Sequence, residues 1–312
     1  MAIRPMTELR PRLAVTLGDP RGIGPEIVRA ALADPDVGKA CELVTVGPYG
    51  AGLGRIDEPV GDWSPGRPAA EAGELAGRAI ERAVDLARSG MVHGIVTAPI
   101  DKSALLAGGY TDPGHTEMLA RLTGARVAMM LASDRLRVVL ATTHIPLRAV
   151  PDAVTGKSIV DVAAIVRAGL REWFGIAEPR IALCALNPHA GDNGRFGDED
   201  DRILAPAAAA ARIDGPFPAD TVFVRAMRGV FDAVIAPYHD VGMTAIKVAS
   251  FGKAVNVTLG LPFPRCSPDH GTALDIAGRG TADPGSFLAA TRLCATIAKR
   301  LAARSVRPGG RS

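Results

Sequence analysis

The 312-residue sequence lacks paired cysteines and long apolar runs. Its four cysteines lie far apart, which argues against a disulfide framework and against a thiolate metal site; they are Cys41, Cys184, Cys266 and Cys294. No stretch approaches the roughly 20 apolar residues of a membrane-spanning helix, and the N-terminus, MAIRPMTELRPR, has no apolar core of a secretion signal. We therefore expect a protein of the reducing cytoplasm with no membrane anchor and no targeting segment.

An excess of one charge is also missing. The 36 basic and 33 acidic residues are mixed along the chain and give a formal net charge of +3, so the basic surface of a nucleic-acid-binding protein is not indicated. A small anionic substrate remains compatible with this balance. With 47% hydrophobic and 22% charged residues, the chain is typical of globular proteins and long enough for one large core or two moderate ones.

Short β-rich runs alternate with longer amphipathic stretches, which predicts an α/β fold with a largely parallel sheet. The predicted strands comprise residues 13–18, 42–47, 94–99, 137–144, 180–189, 232–240 and 255–259. Residues 50–72 have weak periodicity, and the last eight, SVRPGGRS, have the composition of a disordered tail. Because no linker marks a boundary, we expect residues 1–312 to form a single catalytic unit of two intertwined lobes with a cleft between them.

Three histidines follow the ends of predicted strands. His144 ends VVLATTH, His189 follows IALCALNP and His239 follows AVIAPY. Ligands of open parallel sheets gather beyond the carboxyl ends of the strands, so the three imidazoles are predicted to converge on a divalent metal ion. The alternative, in which a histidine only forms a hydrogen bond within its loop, stays open for each one separately.

Polar side chains accompany these histidines. The candidates for orienting the metal ligands are Asn187, Asp192, Asn193 and Asp240, although each is also a common turn residue. Three imidazoles favour zinc, cobalt or nickel, whereas magnesium prefers oxygen ligands.

The segment LGDPRGIGPEIV follows the first predicted strand and leads into a predicted helix. Gly18, Gly22 and Gly24 permit close backbone approach, and Glu26 complements the N-terminus of the helix, which suits an anion or the edge of a cofactor. A tight turn without a ligand is the alternative. A second stretch, VGPYGAGLG, lacks the G-x-G-x-x-G spacing, so we expect a plain loop there and no conventional Rossmann site.

Further side chains indicate an anion site. His115 and Thr116 precede a predicted helix, whose N–H groups could hold phosphate or carboxylate oxygens; a simple N-cap by Thr116 is the alternative. Lys247, Asn256 and Arg265 lie in or beside a predicted buried strand, where a polar group needs a partner such as an anion. On composition alone, the two cations could equally be solvated surface charges.

The sequence contains, in this order, the blocks GDPRGIGPEIV, TAPIDKSALLAGG, GHTEMLA, MMLASDRLRVVLATTHIPL, LNPHAGDNGRFGDED, GPFPADTVF, YHDVGMTAIK, VNVTLGLPF and DHGTALDIAGRGTADPGSF. Together these blocks resemble the 4-hydroxythreonine-4-phosphate dehydrogenase family of pyridoxal phosphate biosynthesis, and they span residues 13–287. That family is related to isocitrate and isopropylmalate dehydrogenases. The resemblance therefore implies a two-lobed α/β/α fold of that type.

The resemblance also implies roles for individual residues. The implied metal ligands are His144, His189 and His239. The implied substrate contacts are His115, Thr116, Lys247, Asn256 and Arg265. The loop HGTALDIAGRGTADP implies contacts with NAD, or NADP as an alternative, by His270, Gly271, Thr272 and Asp283. We expect one divalent ion per site, zinc first with magnesium or cobalt as alternatives, and a homodimer with its active site at the subunit interface.

The activity implied is metal-dependent, NAD-linked oxidation of 4-phosphohydroxy-L-threonine at C3, followed by decarboxylation to 3-amino-2-oxopropyl phosphate, with Lys247 as the proton-transfer residue. Several residues depart from the family pattern. Arg21 replaces a small residue, Val241 replaces a glutamine, and Cys266 and Pro268 lie in a segment that usually has the letters RTSVD. Because of these departures, an alternative substrate remains, namely 4-phospho-D-threonate or 4-phospho-D-erythronate of sugar-acid catabolism.

Two hypotheses of other classes also remain. A non-catalytic phosphate- or nucleotide-binding protein would need only structural histidines, and a zinc hydrolase without a cofactor would leave the HGTALDIAGRGTADP loop unexplained. Retention of His115, Thr116, Asn256 and Arg265 favours a phosphorylated substrate over a dihydrodiol, because a cationic pocket without its anion is costly.

Overall fold

The computed structural model describes residues 10–250 and 253–305. The chain divides into two compact units, of which the first contains the chain up to Ala125 and the chain from Leu261 onward, and the second contains Arg126–Gly260. The predicted tail comprises residues 305–312, of which Ser305 ends the last helix, while residues 306–312 and the N-terminal residues 1–9 lie outside the described residues. The expected cleft between two lobes stays a prediction.

The first unit is a parallel sheet with helices formed by two segments of the chain. Its strands are β1 (Arg12–Thr16), β2 (Glu42–Tyr49), β3 (Glu58–Asp62), β4 (Ile95–Thr97) and β11 (Arg265–Pro268). Its helices are α1 (Gly24–Ala33), α2 (Pro35–Ala40), α3 (Ala69–Arg88), α4 (Lys102–Ala107), α5 (His115–Thr123) and α11 (Gly285–Ser305). The strands lie in the order β3-β2-β1-β4-β11, and every neighbouring pair is parallel.

The second unit has a mixed sheet. Its strands are β5 (Ala128–Ala132), β6 (Arg137–Leu140), β7 (Ile181–Cys184), β8 (Asp214–Phe217), β9 (Ala233–Ala236) and β10 (Val255–Leu259). Its helices are α6 (Val150–Ala153), α7 (Gly156–Glu172), α8 (Ala205–Ala211), α9 (Ala219–Met227) and α10 (His239–Ser250). The order is β10-β5-β6-β9-β7-β8; β5 pairs antiparallel with β10 and β6, and the other pairs are parallel.

The α/β prediction with mostly parallel strands is therefore confirmed. Each predicted strand overlaps an observed one, because runs of buried β-branched and aliphatic residues suit strands covered on both faces. In the second unit, Val138, Val234 and Ala182 belong to one buried cluster that crosses three neighbouring strands. All four cysteines are buried thiols, and burial raises the pKa of Cys41 to about 11.

Small residues set the closest helix contact of the first unit. A Cβ on Gly73 of α3 would lie 1.8 Å from the carbonyl oxygen of Ala104 in α4, so only glycine permits this approach. The same holds on the other side, where a Cβ on Gly108 would lie 2.4 Å from the amide nitrogen of Glu74. Helix α4 is thereby fixed on α3.

The local structure adds detail to the sequence expectations and corrects some of them. Residues 50–72, whose periodicity is weak, contain β3 and the start of α3. The stretch VGPYGAGLG is only partly a loop, because its first four residues belong to β2 and pair with its parallel neighbour β3. The prediction that His115 and Thr116 precede the helix is wrong, as is the alternative of an N-cap by Thr116, because α5 begins at His115 and its N-cap is Gly114. None of the described helices has both the length and the apolar composition needed to cross a membrane.

Candidate active site

The predicted cofactor loop docks on the glycine-rich turn after β1. The amide of Ile23 donates to the carbonyl oxygen of Thr272 at 3.0 Å, and a Cβ on Gly22 would lie 2.8 Å from that oxygen. Glu26 of α1 accepts from the amide of Gly278 farther along the same loop. The glycine at position 22 is thus required for a close backbone approach, as the sequence pattern indicated.

The remaining predicted cofactor contacts lie along the same loop. His270 Nδ1 lies 3.2 Å from the carbonyl oxygen of Gly271, while His270 Nε2 is buried without a hydrogen-bond partner among the described residues. Asp283 accepts from the amide of Gly285 at 2.8 Å and so precedes α11. The loop therefore presents an imidazole nitrogen whose hydrogen-bonding capacity is unused.

A cavity of about 770 Å³ lies between this loop, the turn after β1 and the segment that flanks β3. Its lining includes Arg21, Arg29, Trp63 and Arg279. Arg21 pairs with the buried carboxylate of Asp19 and with Asp101, and Arg29 donates to the carbonyl oxygen of Gly52. A volume of several hundred Å³ with arginines and an aromatic side chain suits an anionic ligand that carries a ring.

A second polar group of the first unit comprises Thr97, His115 and Arg265, which we call the anion pocket; Thr116 follows His115 in α5. Arg265 opens β11 and is only 2% exposed. Its Nη2 donates to Thr97 Oγ1 at 2.6 Å, and burial lowers the pKa of the Arg265 guanidinium to about 10. A guanidinium that is buried at this depth is stable only where a hydrogen-bonding or anionic partner compensates its lost hydration.

His115 lies in the same electrostatic field. Burial, followed by the positive charges of Arg265 and Lys102, holds the pKa of His115 well below its usual value. Its Nε2 is buried and has no hydrogen-bond partner among the described residues. His115 is thus a neutral imidazole that can share a proton or a lone pair with a bound ligand.

The other two predicted substrate contacts belong to the second unit. Lys247 is exposed on α10. Asn256 is the second residue of β10, opposite Leu131 of β5, and its Oδ1 is buried without a hydrogen-bond partner among the described residues. An amide oxygen in this state can accept a hydrogen bond from a ligand.

The three predicted metal ligands follow three neighbouring parallel strands, β6, β9 and β7, and we call them the histidine edge. His144 comes four residues after β6, His239 begins α10 after β9, and His189 lies in the short helical turn Pro188–Gly191 after β7. Since the carboxyl ends of parallel strands share one edge of the sheet, the predicted placement beyond that edge agrees with the observed strand order.

The structure brings two of these imidazoles together. The ring centroids of His144 and His239 lie 5.6 Å apart, which is compatible with a shared ion because each metal–nitrogen bond is about 2.0–2.1 Å long. The Nδ1 of His239 lies 2.7 Å from Asp240 Oδ1, so its Nε2 is left for a metal. Within residues 10–250 and 253–305, however, no group of three histidine, cysteine or acidic side chains is close enough to hold an ion.

The loop of His189 is held by a residue that sequence patterns did not reveal. Asp200 is fully buried, and its two carboxylate oxygens accept from the amides of Leu186 and Asn187 at 2.8 and 2.9 Å. His189 itself has a left-handed backbone with φ of 52°, a conformation that persists only where the surroundings enforce it. Asn187, a predicted orienting residue, instead donates to Glu199.

The structure shows the surroundings of two residues that depart from the family pattern, Val241 and Cys266. Val241 packs against the apolar cluster of the second unit, so the side chain contributes to packing rather than to polar contacts. Cys266 is fully buried beside Arg265. The cavity residues Gly52 and Trp63 were missed because they come from a loop and a strand end whose local pattern carries no ligand signal.

The comparisons with known proteins agree on one family. Residues 32–294 match the family model described as pyridoxal phosphate biosynthetic protein PdxA. A 4-hydroxythreonine-4-phosphate dehydrogenase from Desulfosudis oleivorans is 42% identical, with 94% of this chain and 99% of that protein covered.

Solved structures are similar as well. The crystal structure of 4-hydroxythreonine-4-phosphate dehydrogenase from Klebsiella pneumoniae has a TM-score of 0.83 at 41% identity and covers 93% of this chain and 99% of its own. A terephthalate 1,2-cis-dihydrodiol dehydrogenase from Burkholderia xenovorans has a TM-score of 0.65 at 28% identity, with 92% and 98% covered.

Proposed function

This chain belongs to the PdxA family of pyridoxal phosphate biosynthetic proteins, and from that premise we propose that it is a 4-hydroxythreonine-4-phosphate dehydrogenase. The reaction is oxidation of 4-phosphohydroxy-L-threonine at C3 and decarboxylation to 3-amino-2-oxopropyl phosphate. The observation that carries the proposal is the anion pocket, in which the buried Arg265 and the unpartnered Nε2 of His115 suit a phosphorylated substrate better than a dihydrodiol.

Each unit contributes its own set of groups. In the first unit, Arg265 and Thr116 bind the anion, and His115 provides a neutral imidazole whose Nε2 donates or accepts one hydrogen bond. In the second unit, Asn256 Oδ1 accepts from the substrate, and the Nζ of Lys247 holds the proton that moves to the substrate carbon from which carbon dioxide has left. A divalent ion, with zinc first among the candidates, and NAD would supply Lewis acidity and hydride acceptance when bound.

Support for the cofactor comes from the cavity beside the loop of residues 270–283. NAD is proposed there, with NADP as the alternative nucleotide, because the lining combines arginines for phosphates with the ring of Trp63. The proposed contacts remain His270, Gly271, Thr272 and Asp283.

Support for the metal comes from His144 and His239, with Asp240 orienting the second. We propose that a second copy of the chain completes the ion's ligands in a homodimer. Exposed apolar side chains accompany the histidines, since Ile145 and Leu147 follow His144 and Phe196 contacts the ring of His189. Such apolar residues are more typical of an interface than of free surface.

The test compares turnover of 4-phosphohydroxy-L-threonine and 4-phospho-D-threonate by the purified protein with NAD and zinc, followed by the absorbance of NADH. A higher kcat/KM for the amino acid supports the proposed pathway, while a higher value for the hydroxy acid assigns the protein to sugar-acid catabolism. The assay is repeated with magnesium or cobalt in place of zinc and with NADP in place of NAD. If no reduced cofactor forms with either substrate under any of these conditions, the dehydrogenase proposal is contradicted. We also propose that the protein is located in the reducing cytoplasm, which agrees with its four cysteines being free, buried thiols.

A further inference from the structure

The anion pocket has a second positive charge nearby that the predicted substrate contacts do not include. Lys102 is the first residue of α4, and its charge helps to lower the pKa of His115, after burial and the charge of Arg265. Coulombic interactions of this kind weaken with distance and with solvent screening. Lys102 therefore belongs to the immediate electrostatic surroundings of His115.

The Lys102 side chain lies against the N-terminus of α5. A Cβ placed on the N-cap, Gly114, would lie 3.5 Å from Lys102 Cε and 3.3 Å from Glu117 Oε2. No side chain caps this nine-residue helix. The uncapped N–H groups of a helix and its dipole attract anions, and the Lys102 side chain lies beside the N-cap that precedes them.

An independent observation indicates that a ligand belongs here. The Nε2 of His115 is buried and has no hydrogen-bond partner within the described part of the chain. Because burial and then the positive charges of Arg265 and Lys102 lower the pKa of His115, the imidazole stays neutral, and an unused buried nitrogen costs free energy. An oxygen ligand at this position would satisfy the nitrogen and the two cations together.

The backbone that carries Lys102 is held from two sides. The Asp101 carboxylate accepts from the amides of Ser103 and Ala104 at 2.8 and 3.2 Å, and Arg21 Nη2 lies 3.1 Å from Asp101 Oδ2. The close contact between Ala104 and Gly73 fixes the other face of α4. No described carboxylate forms an ion pair with the Lys102 amine, so the amine is available to a ligand.

We propose that Lys102 is a phosphate-binding residue, which holds the phosphate of the substrate at the N-terminus of α5. A phosphate has three terminal oxygens, and the site offers an ammonium, a guanidinium, an imidazole and backbone N–H groups, which are more donors than a carboxylate can accept. The identity of the phosphorylated substrate rests on the proposed function. The binding of phosphate by Lys102 is tested without turnover.

The experiment titrates inorganic phosphate into the full-length protein in a calorimeter. Lys102→Met should weaken phosphate binding by about 10- to 100-fold, the range of one charge-assisted hydrogen bond. Lys102→Arg should restore most of the affinity because it keeps the charge. Lys39→Met, which removes an exposed lysine of α2, should bind phosphate like the unaltered protein.

Wild-type affinity in Lys102→Met, or an equal loss of acetate and phosphate binding, would overturn the proposal, as would absence of phosphate binding by the unaltered protein. An unchanged midpoint of thermal unfolding in Lys102→Met excludes loss of folding as the cause. In turnover, Lys102→Met should lower the ratio of kcat/KM for 4-phosphohydroxy-L-threonine to that for 4-hydroxy-L-threonine. Weakened phosphate binding in a protein that reduces no NAD would reject the proposed function and retain Lys102 as a phosphate ligand.

Discussion

The anion pocket and the histidine edge differ in how much of a ligand site one chain provides. Arg265 is almost fully buried and bonded to Thr97, and His115 Nε2 is buried. His144 and His189, by contrast, are exposed on loops, and no described set of three side chains could hold an ion. Under the proposed function, the phosphate would be bound within one unit, whereas the metal ion would need a further ligand from a second copy.

The largest expected effect comes from the buried guanidinium of Arg265. Arg265→Met should lower kcat/KM for the phosphorylated substrate by about 100- to 1,000-fold, because it removes a desolvated cation that pairs with the anion. The same variant should unfold at an unchanged or higher temperature, since an apolar side chain of similar length avoids the cost of burying a charge. Arg292→Met, at an exposed ion pair with Asp34, is the matched control and should leave kcat/KM unchanged.

A smaller effect is expected at the histidine edge. Asp240→Asn should weaken zinc binding by about 10- to 100-fold, because the carboxylate that orients His239 through Nδ1 is lost. Titration against a chelator measures the affinity, with Asp220→Asn on α9 as the control. Equal zinc affinity in both variants would show that His239 does not bind the metal in the orientation seen here.

Dependence on a second copy can be tested directly. Leu147→Asp replaces an exposed apolar side chain three residues after His144 and should weaken dimerisation by about 10-fold or more, with a parallel loss of bound zinc. Sedimentation at several protein concentrations measures the first quantity and metal analysis the second. Leu32→Asp on α1, also at an exposed leucine, is the control. Full zinc content in a monomeric variant would remove the contrast between the two regions.

The smallest effect concerns pH. The pKa of His115 is lower in the folded protein than its usual 6.5, so at acidic pH the unfolded chain binds a proton that the folded chain does not. The free energy of unfolding should therefore fall as pH drops below about 6.5, by at most ~1.4 kcal/mol per pH unit from this residue. His115→Gln should lose less stability between about pH 7 and pH 5, as measured by urea unfolding. Saturating phosphate should also reduce the loss in the unaltered protein, since an anion beside His115, Arg265 and Lys102 stabilises the imidazolium.

Much of this arrangement could be predicted from local sequence. Buried strands have short apolar runs, so the histidines could be assigned to strand ends, and the glycine at position 22 indicated a close approach. The neighbouring order of β6, β9 and β7 could not be predicted, because pairing depends on contacts between distant segments. The roles of Asp200 and Trp63 could not be predicted for the same reason, because they too depend on contacts between distant segments.

The anion pocket gives a sharper example. Composition favoured solvated cations at positions 247 and 265, and the structure separates the two, since Lys247 is exposed and Arg265 is buried. The place of Arg265 beside a predicted buried strand indicated an anion site, and the resemblance to a family added the role of a substrate contact. Lys102 stood within a quoted block but had no assigned role, because its approach to Gly114 depends on how α4 packs on α3.

The first unit is formed by two separate segments of the chain, and this affects the order in which its parts appear during translation. The strand that carries Arg265 pairs with β4, although some 170 residues, including the whole second unit, separate the two in the chain. Because the ribosome makes a protein from its N-terminus, the second unit emerges before β11 exists. A nascent or truncated chain that ends at Gly260 has all three residues of the histidine edge but no Arg265, so the anion pocket is among the last parts of the molecule to form.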